Sequence, residues 1–226
     1  MHRFVAVVGV CAAAVASHAT PIVYDPSLGT LPQAQGWTFP GNTLAGAAVS
    51  GGVLSYGPTT TSGTTFWRAD PGSIDFSLQT FSISALVRLN GSTFGNPSGY
   101  RRGGFNLGLR DDTGRWIHSE FGDTMADIRN DDHGTTDPTF AVTLDDAFHL
   151  LTLEAGPAGG KLYIDGTLRL SLPLGSSPGV AGGHFGESSV LASAVGTDIA
   201  RVVLTPTPGT LALSSVGLLV ACRRKR

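Results

Sequence analysis

Any chemistry in this chain must come from a short set of side chains. Glycoside hydrolysis needs two carboxylates across the scissile bond, about 5–5.5 Å apart for retention and further for inversion. The nearest pair in sequence is Glu120 and Asp123 in Glu120-Phe121-Gly122-Asp123. A strand turns its side chains to alternate faces, so that spacing sends the two acids to opposite sides. Glu154 stands alone. His118 and Glu120, two residues apart, share a strand face and can approach one metal, but no third ligand is near, and hydrogen-bonded structural histidines are the simpler reading. Asp131, Asp132 and Asp137 crowd one stretch, DDHGTTDP, and with neighbouring carbonyls offer the oxygens that calcium takes; Asp111-Asp112 offers fewer. Aspartate also favours turns because it bonds its own backbone, so solvated turns compete with the calcium reading. A sugar site usually pairs an exposed aromatic platform with hydrogen-bonding groups. Trp37, Trp67, Trp116 and Tyr100 are the candidates, and Trp116 is best placed, one strand from the acidic pair Asp111-Asp112. Core filling is the competing role for Trp116. No serine elbow, cysteine–histidine pair, phosphate loop or dinucleotide fingerprint is present, so no catalytic residue is assigned.

The elements that must hold these residues are strands. The 226-residue chain is 41% hydrophobic, enough for one domain with a proper core, and its 31 glycines and 13 prolines suit turns rather than helices. Phe81, Ile83, Ala85, Val87 and Leu89 alternate with Ser82, Ser84 and Arg88, the period of a half-buried strand. Further strands are expected over Ile22–Tyr24, Ala47–Ser55 broken at Gly51-Gly52, Thr65–Arg68, Phe105–Arg110, Arg115–Phe121, Met125–Asn130, Phe140–Leu144, Phe148–Ala155 and Asp198–Leu204. His184-Phe185-Gly186 is expected to touch the sheet only briefly. Twelve to fourteen short strands with turns every 8–12 residues or so predict an all-β, two-sheet antiparallel jelly-roll sandwich. Leu162, Ile164, Leu168, Leu170 and Leu172 form the apolar set of a hairpin turning at Asp165-Gly166. A three-residue loop, Ile164-Asp165-Gly166, puts Leu162 opposite Leu168 and keeps one apolar face, which requires a positive φ at Gly166.

The two ends differ from the middle. Met1 to Ala19 carries His2 and Arg3, an apolar run from Phe4 to Val15, and small residues at Ser17 and Ala19, the order of a signal peptide cut by signal peptidase before Thr20. At the other end Pro206-Thr207-Pro208 is expected to break any continuing strand. An apolar run from Leu211 to Cys222 follows, shorter than the ~20 residues of a full span, and then Arg223-Arg224-Lys225-Arg226, which favour the cytoplasmic side. Cys11 and Cys222 fall in these segments, so the domain between them has no disulfide framework. Residues 20–205 hold 10 of the 15 basic residues and all 17 acids, a net charge of −7. That excess argues against nucleic acid as partner and is compatible with calcium or neutral sugars.

The tail of Pro206, Pro208, a short hydrophobic helix and a basic cluster resembles the bacterial PEP-CTERM sorting signal, with Thr207 where glutamate is usual. That resemblance implies an exosortase-type sorting enzyme as partner and delivery to the cell surface or extracellular matrix, with a transient or retained membrane anchor. The middle resembles LamG-like domains of the concanavalin A-like lectin/glucanase superfamily. Ile74 to Leu89, Phe105 to Gly122, the Phe148-His149 strand with the Leu162 to Gly166 hairpin, and the closing DIARVVL carry the likeness. It implies that His149 orders the sheet. Laminarinase-type members carry three acids on one strand, as Glu-x-Asp-x-x-Glu or Glu-x-Asp-x-Glu, at spacings absent here. The organisation that follows is a signal peptide at 1–19, a LamG-like sandwich at 20–205 and a sorting segment at 206–226. The function expected is a non-enzymatic surface or matrix protein that binds a polysaccharide or another surface component. A carbohydrate-active enzyme and a ligand-free spacer are the alternatives.

Overall fold

The structure, a computed structural model, describes residues 20–44, 46–57, 64–90, 104–130, 138–187 and 196–207. Among them the chain forms fifteen strands: β1 (Ile22–Tyr24), β2 (Ala48–Ser50), β3 (Val53–Tyr56), β4 (Thr65–Ala69), β5 (Thr80–Asn90), β6 (Phe105–Arg110), β7 (Arg115–Phe121), β8 (Met125–Asp127), β9 (Thr139–Ala141), β10 (His149–Gly156), β11 (Gly159–Ile164), β12 (Thr167–Leu172), β13 (Gly175–Ser176), β14 (Gly182–Glu187) and β15 (Gly196–Thr207). They make two antiparallel sheets. The first has eight strands in the order β12-β11-β10-β5-β15-β3-β2, with β1 also on β15. The second has seven, in the order β4-β14-β6-β7-β8-β9, with β13 on β7. The expected all-β jelly-roll sandwich is therefore the fold.

Alternation builds the core. In β5 the residues Phe81, Ile83, Ala85, Val87 and Leu89 are buried while Ser82, Ser84, Leu86 and Arg88 are half-buried on the outside. The facing sheet answers with Trp67, Phe105, Leu107, Leu109, Ile117, Phe121 and Phe185. Phe185 sits at the centre of an aromatic cluster, stacked on Trp67 at 5.4 Å and edge-on to Trp37 at 4.9 Å. Trp37 and Trp67 are thus core residues, not sugar platforms. At about 25 cal/mol per Å² such large side chains dominate the burial energy.

The hairpin between β11 and β12 corrects the expected register. Asp165 has φ 51° and Gly166 φ 75°, so the loop is the two-residue type I′ turn, with Tyr163 opposite Leu168. Gly166 does turn left-handed, but so does Asp165, whose short polar side chain tolerates that conformation. The apolar face is recovered one residue later. A bulge at Arg169 brings Leu162 opposite Leu170 and Lys161 opposite Ser171. Leu170 and Leu172 pack on the core, whereas Leu168 stays 51% exposed.

His149 locks this corner. Its Nδ1 lies 2.8 Å from Asp165 Oδ2 and its Nε2 2.9 Å from Asp146 Oδ1, while Asp165 Oδ1 accepts from the Leu150 amide. Burial disfavours its charge, yet the two carboxylates outweigh that and raise its pKa above 6.5.

Two further expectations change. β14 is a full six-residue strand between β4 and β6, not a brief touch. Pro206 does not end β15: it pairs with Phe81, Thr207 pairs with Thr80, and Pro206 is buried. β1 starts at Ile22, opposite Leu204, so Pro206 lies where that flank has become an edge, the setting in which a strand accepts proline.

Candidate functional site

The outer face of the seven-stranded sheet is the candidate site. Phe185, Leu109 and Ile117 face the core, so their strand neighbours His184, Arg110, Trp116 and His118 face away from it. Register then aligns residues that are remote in sequence. His184 in β14 lies opposite Arg68 in β4 and Gly108 in β6; Gly108 lies opposite His118 in β7; and His118 bridges to Arg129 just beyond β8. One row across five chain segments reads Arg68, His184, Gly108, His118, Arg129. Flanking it on β6 and β7 are Arg110 and Trp116 on one side, Asn106 and Glu120 on the other.

Gly108 makes the row possible by close approach. A Cβ there would stand 2.0 Å from His184 Cε1, so the imidazole lies across the bare backbone of β6. It reaches His118, ring centroids 5.3 Å apart, and Phe66 on its other side at 5.9 Å. Burial, reinforced by the positive charges of Arg68 and Arg110, lowers the His184 pKa to about 3. The imidazole is therefore neutral at physiological pH, able to accept or donate one hydrogen bond. Burial and then Arg110 also lower the Arg68 pKa. The Arg110 guanidinium carbon lies 5.6 Å over the Trp116 ring, and its Nη1 donates to the Pro178 carbonyl.

The acidic half of the face is tied together internally. Arg129 Nη2 pairs with Glu120 Oε1, and Arg129 Nε lies 3.9 Å from Asp127 Oδ2. Arg129 Nη2 also lies 3.4 Å from His118 Nδ1, and the Glu120 amide donates to Asp127 Oδ1 at 2.9 Å. The Glu120 carboxylate is thus paired with an arginine. Its nearest carboxylate neighbour is Asp127 on the next strand, a juxtaposition that only pairing creates. Among the described residues, the buried Asn106 Oδ1 and Trp116 Nε1 have no hydrogen-bond partner, and no group of three His, Cys, Asp or Glu can hold a metal ion.

Of the residues singled out from sequence, Trp116 belongs to this face. It is only 4% exposed and lies outside the core cluster, packed between Arg110 and His118. It is neither an open platform nor core filler. Asp111 and Asp112 do not join it; both are committed to the backbone. Asp111 accepts from the Phe76, Thr113 and Arg115 amides and from Arg115 Nε, and Asp112 accepts from the Ile74 amide. Burial opposes the Asp111 charge, but those donors outweigh it and hold its carboxyl below the ordinary range. They bolt the segment before β5 to the β6–β7 hairpin instead of offering ligands. Tyr100, Asp131, Asp132, Asp137, Pro208 and the terminal Arg223, Arg224, Lys225 and Arg226 lie outside the described residues. No helix among the described residues is long and apolar enough to cross a membrane, and the run from Leu211 to Cys222 is outside them. A cleft of about 630 Å³ opens away from this face, between the β10–β11 turn and Leu174. Its arginine, Arg115, is already spent on Asp75 and Asp111.

No family model and no curated protein matches the sequence. Solved structures do match the fold. A carbohydrate esterase of the Shiga toxin-encoding bacteriophage phi24B superposes with a TM-score of 0.55 at 14% identity, over 85% of this chain and 99% of that one. Alginate lyase A1-II′, of polysaccharide lyase family 7, gives 0.53 at 10% identity over 82% and 100%. A variant of the Emp46p carbohydrate recognition domain gives 0.51 at 12% identity over 78% and 91%. At such identities the likeness is one of architecture: the shared fold is the two-sheet antiparallel jelly-roll sandwich.

Proposed function

We propose that the chain is an exported cell-surface or matrix protein that binds a glycan across the outer face of its seven-stranded sheet without cleaving it. The supporting observation is the row from Arg68 to Arg129 with Trp116 beside it: guanidinium, imidazole, carboxylate and indole groups gathered on one sheet face. Such hydrogen-bonding groups suit sugar hydroxyls, and solved structures of this architecture include an esterase, a lyase and a recognition domain that act on or recognise carbohydrate. The proposed layout keeps residues 1–19 as signal peptide and the tail from Pro206 as a PEP-CTERM-type sorting segment read by an exosortase-type enzyme. A glycan array probed with the purified protein tests the binding reading, and a blank array rejects it.

A second reading, a carbohydrate-active enzyme, is favoured by the neutral His184 beside two arginines and by Glu120 and Asp127 on adjacent strands. Incubation with alginate and other polysaccharides decides it. New reducing ends, or near-ultraviolet absorbance from an unsaturated sugar, select the enzyme.

A further inference from the structure

We infer that the outer face of the eight-stranded sheet pairs with a second copy of this chain, about a two-fold axis running along the strands between β5 and β10. The glycan face belongs to the other sheet, so this pairing is independent of glycan binding. Strand register lays the outward residues out in rows. One row, from β12 to β1, reads Leu168, Tyr163, Thr152, Ser84, Val203, Val23. The next reads Leu150, Leu86, Arg201, with Asp165 ahead of it, its amide donating to the Leu150 carbonyl. Leu150 is 43% and Leu168 51% exposed, and Leu86, Tyr163, Val203 and Val23 are half-buried. The two hydroxyls at the middle of the first row, Ser84 and Thr152, bond each other at 2.9 Å. An apolar stripe therefore crosses six strands on the side where an antiparallel sheet usually turns polar residues to water.

The order of chemistry along the rows identifies the occupant. A two-fold axis lying between two stacked faces, along their strands, reverses each row and keeps its height. Leu168 then meets the partner's Val23, Tyr163 the partner's Val203, and Thr152 the partner's Ser84. In the next row Leu150 meets the partner's Leu86, and the Asp165 end meets the partner's Arg201. Apolar groups face apolar groups, hydroxyls face hydroxyls and acid faces base. Asp165 and Asp146 flank the single imidazole of His149 with side chains 52% and 63% exposed, and Arg201 is exposed. Asp25, next to Tyr24 opposite Val202, and Arg169, in the hairpin after Asp165, give each end a local counter-charge. The apolar rows therefore carry the affinity and the end charges set the direction. Pairing through the sheet edge is disfavoured, because β12 ends the sheet and its bulge at Arg169 interrupts the ladder. Six strands about 4.8 Å apart give a face of about 500 Å² per copy, about 1,000 Å² in all, the low end for a specific pair. The two seven-stranded sheets then point outwards, on opposite sides of the dimer.

The test is sedimentation of the full chain in density-matched mild detergent. A monomer–dimer equilibrium with a dissociation constant of about 1–100 μM is expected. Leu150→Glu and Leu86→Lys should each weaken it at least about 10-fold, because each seats an unpaired charge against a leucine. The far-ultraviolet circular dichroism and melting temperature should stay those of the parent. An equimolar mixture of the two variant chains should recover dimer, because the axis sets position 150 of one chain against position 86 of the other. If either leucine variant melts lower, Arg201→Glu, at an exposed position, takes its place and should weaken pairing about 3- to 10-fold. A monomer up to about ten times the upper constant overturns the inference. So does a dimer that keeps its affinity in these variants, as one held by the apolar tail would. A mixture that stays monomeric overturns it too.

Discussion

Holding His184 neutral should make the domain acid-sensitive in a measurable and removable way. The folded pKa is lowered from 6.5 to about 3, so over that interval the unfolded chain binds a proton that the folded chain refuses. Stability rises with pH wherever the unfolded state binds more protons. The contribution of this histidine is therefore complete above the unfolded value and is lost as pH falls towards the folded one. Each unit of pH across the window costs about 1.4 kcal/mol, so going from neutrality to about pH 4.5 should cost on the order of 2.7 kcal/mol from this group alone. For a domain of this size that is a fall of about 5–11 °C in melting temperature. Carboxylates titrate over the same range, so the parent must be compared with His184→Gln, which keeps a neutral polar group and has no proton to take up. Urea unfolding of both proteins at about pH 7 and about pH 4.5 gives four free energies. The parent should lose about 2–3 kcal/mol more than the variant between the two conditions. Equal losses would refute the claim that the folded state excludes the imidazolium.

His149 should show the opposite sign. Its raised pKa means that its contribution is complete below 6.5 and fades as pH rises through the folded value, while the lowered pKa values of Asp146 and Asp165 mean theirs fades in acid. His149→Ala should therefore lower the melting temperature by a few degrees near pH 5.5 and by much less near pH 9. Gly108→Ala should cost about 2 kcal/mol by forcing the His184 ring off β6, seen as a melting temperature about 4–8 °C lower, with loss of glycan binding. A chain ended at Leu204 should melt several degrees below one ended at Thr207, because Thr205–Thr207 pair with Thr80–Ser82 and bury Pro206. Removing everything after Thr207 should release the protein from cells into the medium, as immunoblots of the two fractions would show. If Asp131, Asp132 and Asp137 hold calcium, EDTA should lower the melting temperature, and an unchanged value would remove that site.

The sandwich was readable because period-two burial is written along single strands, as in Phe81 to Leu89. The site was not, because it is written across strands. His184 and Arg68 meet through a pairing of residues 116 positions apart, and sequence offers no register for that. β14 was hidden for a related reason. Gly182, Gly183 and Gly186 read as loop chemistry, yet in place they are what a strand needs where neighbouring backbone and side chains press close. Asp111 and Asp112 misled in the other direction. Their acidity suggested ligands, whereas amide donors take both oxygens of Asp111 and Oδ2 of Asp112. At the β11–β12 hairpin the apolar pattern argued for one register. The turn preference of Asp-Gly won instead, and Arg169 absorbed the mismatch as a bulge.

The placement of β15 has a mechanical consequence. The strand runs through the interior of its sheet, paired along its length with β5, and β1 lies antiparallel to its Val202–Leu204 stretch, so the described chain enters and leaves at one pole. Tension applied through the C-terminal end acts along the axis of β15, perpendicular to its ladder bonds. The load falls on the bonds to β5, β3 and β1 together, in shear, instead of opening them one at a time. A domain held by its tail and pulled by a ligand on the other sheet would thus bear force through the longest of the described strands.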